Sequence, residues 1–225
     1  MLERLLLYSE RYPLDMLSHF SSGLPIAVGL LRFKKLNRSG KFVWLLFVFY
    51  FIKDTYALIY SLIVPNNLHV QNIEQIVSTF LVGSIYYYAF EKSLQKRLIP
   101  FFTIVCGLIT IFAYDSLEAS TVSLSVFRMF SITLALLYFN KIIKDMQVKI
   151  ITRHTLFWFT SALLLYSTGT FFIMLFSEYW NKDINRVATN TFNLYYNISL
   201  ILNIIFCYIS AYGLWVSKYE QENLI

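Results

Sequence analysis

Charge is scarce in this chain: Asp, Glu, Lys and Arg make up 14% of its 225 residues, against roughly a quarter in ordinary soluble domains. Apolar residues fill 57% of it, so a globule surrounded by water is excluded and lipid becomes the main solvent. Cysteine is nearly absent. Cys106 and Cys207 both fall inside apolar stretches, which leaves no disulfide framework. The three histidines, His19, His69 and His154, are too dispersed to give the three or four close ligands of a zinc site, and no metal or cofactor is expected. No serine sits in a Gly-x-Ser-x-Gly turn, so the common serine-hydrolase signature is missing. Glycine (7) and proline (4) are also few. That weighs against a gated transporter, whose broken helices use such residues.

What is present is a series of apolar runs. A membrane span needs about 20 mostly apolar residues, and 14–32, 42–64, 71–91, 98–114, 121–143, 155–176 and 190–216 meet that test. The fold class is therefore all-α: a polytopic membrane protein with seven transmembrane helices, in which 14–216 form the membrane domain. Residues 1–13, "MLERLLLYSERYP", scatter charge through an apolar stretch and lack the pattern of a signal peptide. They read as an extracytoplasmic amphipathic segment at the interface, and 217–225 as a short cytoplasmic tail.

Basic residues set the orientation. Arg32, Lys34, Lys35, Arg38, Lys41, Lys92, Lys96, Arg97, Lys141, Lys144, Lys149, Arg153 and Lys218 gather at one set of span ends, and Arg4, Arg11, Lys182 and Arg186 at the other. Positive-inside bias makes the first set cytoplasmic, with the N-terminus outside and the C-terminus inside. The expected location is the bacterial inner (plasma) membrane, and the partner of the basic loops is anionic lipid rather than nucleic acid. "GLLRFKKL" (29–36) matches "ALLYFNKI" (135–142), and the next spans open with "FVW" and "LFW". This faint similarity suggests a three-plus-one-plus-three parallel repeat with the fourth helix as a peripheral linker.

Ionisable residues inside spans are costly, roughly 2.5–3.5 kcal/mol each, and count as functional candidates. Lys53, Asp54, Glu74 and Arg128 are such residues. Positions three and four apart share a helix face, which groups Tyr50, Lys53, Asp54, Ala57 and Ser61. The same spacing groups Gln71, Glu74, Gln75 and Ser78, then Ser125, Arg128 and Ser131, and finally Asn193, Tyr196, Ser199, Asn203 and Ser210. Lipid satisfies none of these stripes, so each must face protein or water. By depth they outline an outward-biased polar cavity tapering to Lys53 and Asp54. Its expected ligand-binding residues are Lys53, Asp54, Glu74, Arg128, His19, Tyr50, Gln75, Asn193 and Tyr196, with Tyr56 and Tyr60 as further walls. Asp54 is expected to meet Arg128, and Lys53 to meet Glu74, because adjacent side chains diverge by about 100° on a helix.

The bland alternative is that these charges neutralise one another as interhelical glue. The functional reading is a sensor or receptor bundle, not an enzyme, that takes a small polar or amphipathic ligand from outside and informs a cytoplasmic or membrane partner. A midplane small-solute transporter and an intramembrane lipid hydrolase built on His19 with Asp54 and Glu74 are the competitors. The words "LHVQNIEQIVSTF", "FRMFSITLALLYFNKIIKD" and "LFWFTSALLLYSTGTFF" resemble those of small bacterial seven-helix proteins of unestablished function, some similar to sensory modules. The architecture resembles the wider group of rhodopsins, seven-helix receptors and small transporters. No lysine stands in the body of the last span, so a retinal Schiff base is not implied, and the resemblance transfers no catalytic residue.

Overall fold

The computed structural model describes residues 2–61, 63–64, 67–91, 93–116, 118, 120–145, 150–176 and 189–219. Among them every regular element is helical. Lys92, Lys149, Lys182, Arg186, residue 62 of the expected second span and tail residues 220–225 lie outside the described residues.

A short helix α1 (Leu2–Arg11) precedes α2 (Pro13–Ser21) and α3 (Gly23–Arg32). The expected first span is interrupted at Ser22 alone, which keeps right-handed helical angles (φ −67°, ψ −20°). Pro25, buried near the start of α3, has no N–H for the carbonyl of Ser21, and its ring crowds that carbonyl. Helix α4 (Arg38–Ser61) follows, and Asn37 caps it by accepting from the Gly40 N–H at 2.7 Å, a contact worth about 1 kcal/mol. Then come α5 (Leu68–Ala89), α6 (Ser93–Phe112), α7 (Thr121–Asp145), α8 (Thr155–Leu175) and α9 (Thr189–Val216). Ser120 caps α7 in the same way, accepting from Ser123 N at 3.2 Å.

Five stretches among the described residues are long and apolar enough to cross a membrane: Pro13–Lys35, Arg38–Ser61, Thr121–Lys144, Thr155–Leu175 and Asn193–Tyr219. Helices α5 and α6 are not among them. Gln71, Asn72, Glu74 and Gln75 load the first turns of α5 with polar groups, and Lys96 and Arg97 do so for α6.

The α2–α3 unit packs on α4 and α9, α4 on α5, α5 on α7, α7 on α8 and α8 on α9, closing a ring. Helix α6 stays outside that ring, against α5 and α7, and turns Phe101, Phe102, Ile104 and Phe112 outward. Two close approaches position these helices. A Cβ on Gly83 would lie 2.3 Å from Thr103 Oγ1 of α6, and one on Gly213 would lie 2.9 Å from the Thr155 carbonyl oxygen of α8. At the other side of the ring the Trp44 indole donates to the Ile26 carbonyl at 3.1 Å, tying α4 to α3.

Inside the ring the core is aromatic. Phe47, Tyr86, Phe127, Tyr138, Phe159 and Phe206 are among its fully buried side chains. Tyr86 donates to Thr160 Oγ1 at 3.1 Å, and Tyr138 lies 2.9 Å from His154 Nε2. Asn72, buried at the start of α5, uses its whole amide: Nδ2 donates to the carbonyls of Asp115 (2.6 Å) and Glu118 (2.8 Å), and Oδ1 accepts from Ser120 N at 2.9 Å. This clamp holds the α6–α7 turn onto α5.

Gly213→Ala should destabilise the bundle by about 1–3 kcal/mol, because backbone on α8 cannot yield to the new methyl group. Gly23→Ala, whose Cβ would meet nothing nearer than 3.9 Å, should be neutral or stabilising by up to about 1 kcal/mol. Thermal unfolding of both variants in detergent checks the contrast.

Candidate functional site

The polar stripes converge on one cavity of about 250 Å³. Its walls come from α2 between Asp15 and Ser22, the second half of α4, the first turns of α5 and α7, the second half of α8 and the first half of α9. It therefore sits in the half of the bundle that holds the N-termini of α2, α5, α7 and α9. The aromatic core fills the other half.

Helix α4 supplies its whole expected face: Tyr50, Lys53, Asp54, Ala57 and Ser61 all line the cavity. Across from them stand Gln71, Glu74 and Gln75 of α5, Arg128 of α7, His19 of α2 and Tyr196 of α9. Asn193 does not line the cavity; it is exposed on the first turns of α9, above the level at which α9 meets α2. Tyr56 and Tyr60 are not walls either. They lie on the outer side of α4 and stack on each other with ring centroids 5.7 Å apart.

The expected pairing of Lys53 with Glu74 is present, whereas Asp54 pairs with Lys53 and not with Arg128. Lys53 reaches both carboxylates, Asp54 beside it and Glu74 on α5 at 2.9 Å. Divergent Cβ directions do not prevent this, since the four-carbon stem of lysine lets Nζ swing back over its neighbour. Arg128 meets no carboxylate in an ion pair among the described residues. Its Nη2 donates to the Tyr166 hydroxyl at 3.1 Å, and its guanidinium carbon stands 4.4 Å from the Tyr166 ring centroid. Tyr166 is itself stacked on Phe206, with centroids 5.3 Å apart and planes 11° from parallel, so the ring that carries Arg128 is fixed by the core. Arg128 is only 3% exposed and its Nε has no hydrogen-bond partner; Gln75, 2% exposed, leaves its Oε1 unpaired in the same way.

His19 faces the cavity without joining the carboxylates. Its ring stacks on Phe51 at 5.1 Å, and its Nε2 lies 3.5 Å from Thr55 Oγ1. Among the described residues no three His, Cys, Asp or Glu side chains gather as a metal-holding group.

Three participants lie outside the expected ligand-binding set. Asp15 lines the cavity mouth and accepts from the hydroxyls of Tyr8 and Tyr196, the latter at 2.8 Å. Burial and the adjacent Asp15 carboxylate push the Tyr8 hydroxyl above its ordinary pKa, so it remains a protonated donor. Asn203 bridges α9 to α2 through Ser18 Oγ at 3.0 Å. Tyr166 is the third. The signal for Asp15 was its spacing, since Asp15, Ser18, His19 and Ser22 fall on one helical face. For Tyr166 it was the four-residue step through Thr170 to Met174.

Against known protein families, curated proteins and solved structures the chain has no match.

Removing the cation shared by two carboxylates leaves both acids buried and uncompensated, so Lys53→Met should destabilise by about 3–5 kcal/mol. Asp54→Asn and Glu74→Gln each leave Lys53 one acid and should cost less. Arg128→Met removes a buried charge with no ion-pair partner and should leave the unfolding temperature unchanged or raised. A large loss of stability in Arg128→Met would make that residue structural. Unfolding of the four purified variants without added ligand gives the order.

Proposed function

We propose that this chain is a seven-span membrane receptor or sensor of the bacterial inner membrane, with its N-terminus outside and its C-terminus in the cytoplasm. Its cavity admits a small polar or amphipathic ligand from the outer side. The observation that carries this reading is the convergence of Lys53, Asp54, Glu74, Arg128 and Gln75 from three helices on one cavity, with Arg128 and Gln75 each left a polar atom to offer. Interhelical glue would consume such groups instead of leaving them unpaired.

Membrane residence is supported by side chains that water would not tolerate over so wide a surface. Phe112, Leu31, Ile143, Phe20 and Phe172 are each at least 65% exposed. Helices α5 and α6 complete the seven spans as packed members of the same bundle, their polar openings at the interface or facing the cavity. The end of the bundle that carries Lys34, Lys35, Arg38 and Lys41 is then cytoplasmic, and the cavity half faces out. A ring in which α2–α3 meets α9 and α5 meets α7 is also the order that two three-helix units, with α6 as linker, would produce by twofold repetition.

The broken α2–α3 helix beside the cavity is a place where binding could change a helix angle, since His19 precedes the break and Ser22 stands at it. It is equally the kind of interruption transporters use. The buried aromatic plug of Phe47, Tyr86, Tyr138, Phe159 and Phe206 beneath the cavity favours a sensor, because it offers no second path. A partner that reads the cytoplasmic end, and a shift of that end on binding, belong to this reading.

With Cys106 and Cys207 replaced by alanine, a cysteine at Ala57 should react with a membrane-impermeant maleimide on intact spheroplasts. One at Ile52, 61% exposed on the lipid side, should not. Labelling of the Ala57→Cys variant only after permeabilisation would overturn the orientation. Solute uptake by purified protein in liposomes, abolished by Asp54→Asn, would replace the sensor with a transporter.

A further inference from the structure

Resting on the outward-cavity reading, the charge layout of the lining points further, to the class of molecule that fits it. The ionised side chains of the wall are Lys53 and Arg128 against Asp15, Asp54 and Glu74. They are not evenly mixed. Lys53 is committed to Asp54 and Glu74, so the α4–α5 wall holds one negative charge more than it neutralises. On the adjoining α7 wall Arg128 keeps its charge without a carboxylate partner among the described residues, 3% exposed, with Nε unpartnered. Tyr166 meets the guanidinium with a neutral hydroxyl and a ring face, which orients the cation and leaves its charge in place.

A simple anion would satisfy Arg128 while adding to a lining in which carboxylates already outnumber cations. A simple cation would satisfy the acidic wall and leave Arg128 as it is. A molecule carrying both charges meets both walls and adds no net charge to a buried space. We propose that the cavity binds a small zwitterion. Its carboxylate takes the guanidinium of Arg128, which matches that group in planar bidentate geometry. Its ammonium lies toward Asp54 and Glu74.

The remaining lining agrees in size and character. About 250 Å³ lies just below the roughly 300–1,000 Å³ of ligand pockets, which suits a small molecule. Met16, Leu124, Met174 and Leu200 give part of the wall an apolar surface, suited to a short hydrocarbon skeleton between two charged ends. Gln75 Oε1, buried and unpaired, is an acceptor for an ammonium N–H.

Calorimetric titration of the purified protein in nanodiscs tests this with glycine, L-leucine, γ-aminobutyrate and ε-aminocaproate. Each is run beside the amine lacking its carboxylate and the acid lacking its amine. At least one zwitterion should bind saturably, on the order of 100-fold or more tighter than both single-charge counterparts, because each counterpart leaves one buried charge unmatched. Arg128→Gln should bring the affinity of that zwitterion down to that of its amine. Arg128→Lys, which keeps the charge without the fork, should fall between, and it carries the comparison if Arg128→Gln lacks a cooperative unfolding transition. An acid or an amine binding as tightly as the zwitterion overturns the proposal, as does binding by none of the compounds. If external labelling of the Ala57→Cys variant persists in those cases, the outward cavity stands and only the zwitterion falls. If that labelling is also lost, the cavity reading fails and takes this inference with it.

Discussion

Lys53 between Asp54 and Glu74 is the contact on which the cavity half of the bundle depends. It is the one ion-pair cluster among the described residues, and it joins α4 to α5 where the polar stripes of both helices run closest to the core. An apolar bundle closes around charged groups only when they are paired and hydrogen-bonded. Lys53 allows two acids to remain at this depth. Those acids keep α4 and α5 from packing flush as they do further down, where Phe47, Val82 and Tyr86 are completely buried. The cavity is the space left where charge replaces aromatic packing.

The same contact explains why Arg128 stands apart. With Lys53 engaging both carboxylates, Arg128 donates to Tyr166, whose position is set by stacking on Phe206. Phe206 in turn packs on Phe47 and Phe159. The cation is thus held by the aromatic core and not by an opposite charge. Groups fixed in place with polar atoms unpaired are what a binding site requires before its ligand arrives. A bundle assembled by polar glue alone would have let Arg128 reach for Glu74.

Much of this was legible in the residues because helical spacing is a strict rule. Every member of the Tyr50, Lys53, Asp54, Ala57 and Ser61 face lines the cavity, as do Gln71, Glu74 and Gln75. The peripheral place of α6 could be read from its lack of a polar stripe. What could not be read was the partner of Asp54 and of Arg128, because that depends on side-chain reach and on which helices become neighbours. Asn193 and Asn72 illustrate the difference. Both open a helix with a buried-looking amide, yet Asn193 is exposed while Asn72 disappears into the α6–α7 turn. The break after Ser21 has a sequence cause in Pro25, but a proline inside an apolar run is often absorbed as a kink. Here the interruption is confined to Ser22, which keeps helical angles.

Residues just before the interruption of the first span line the same cavity as the charges. Asp15, Ser18 and His19 precede the break, Ser22 stands at it, and all four face the cavity; Ile26 and Gly29 follow it and are pinned to Trp44, by a hydrogen bond and by close contact respectively. Both α2 and α3 pack on α9, α2 through Ser18 to Asn203 and Asp15 to Tyr196 and α3 through Arg32 against Trp215; α3 is also held to α4. A molecule that draws the α4–α5 acids and the α7 guanidinium together acts on α4 directly. The far end of α3, at Arg32 against Trp215, stands at the basic end of the bundle.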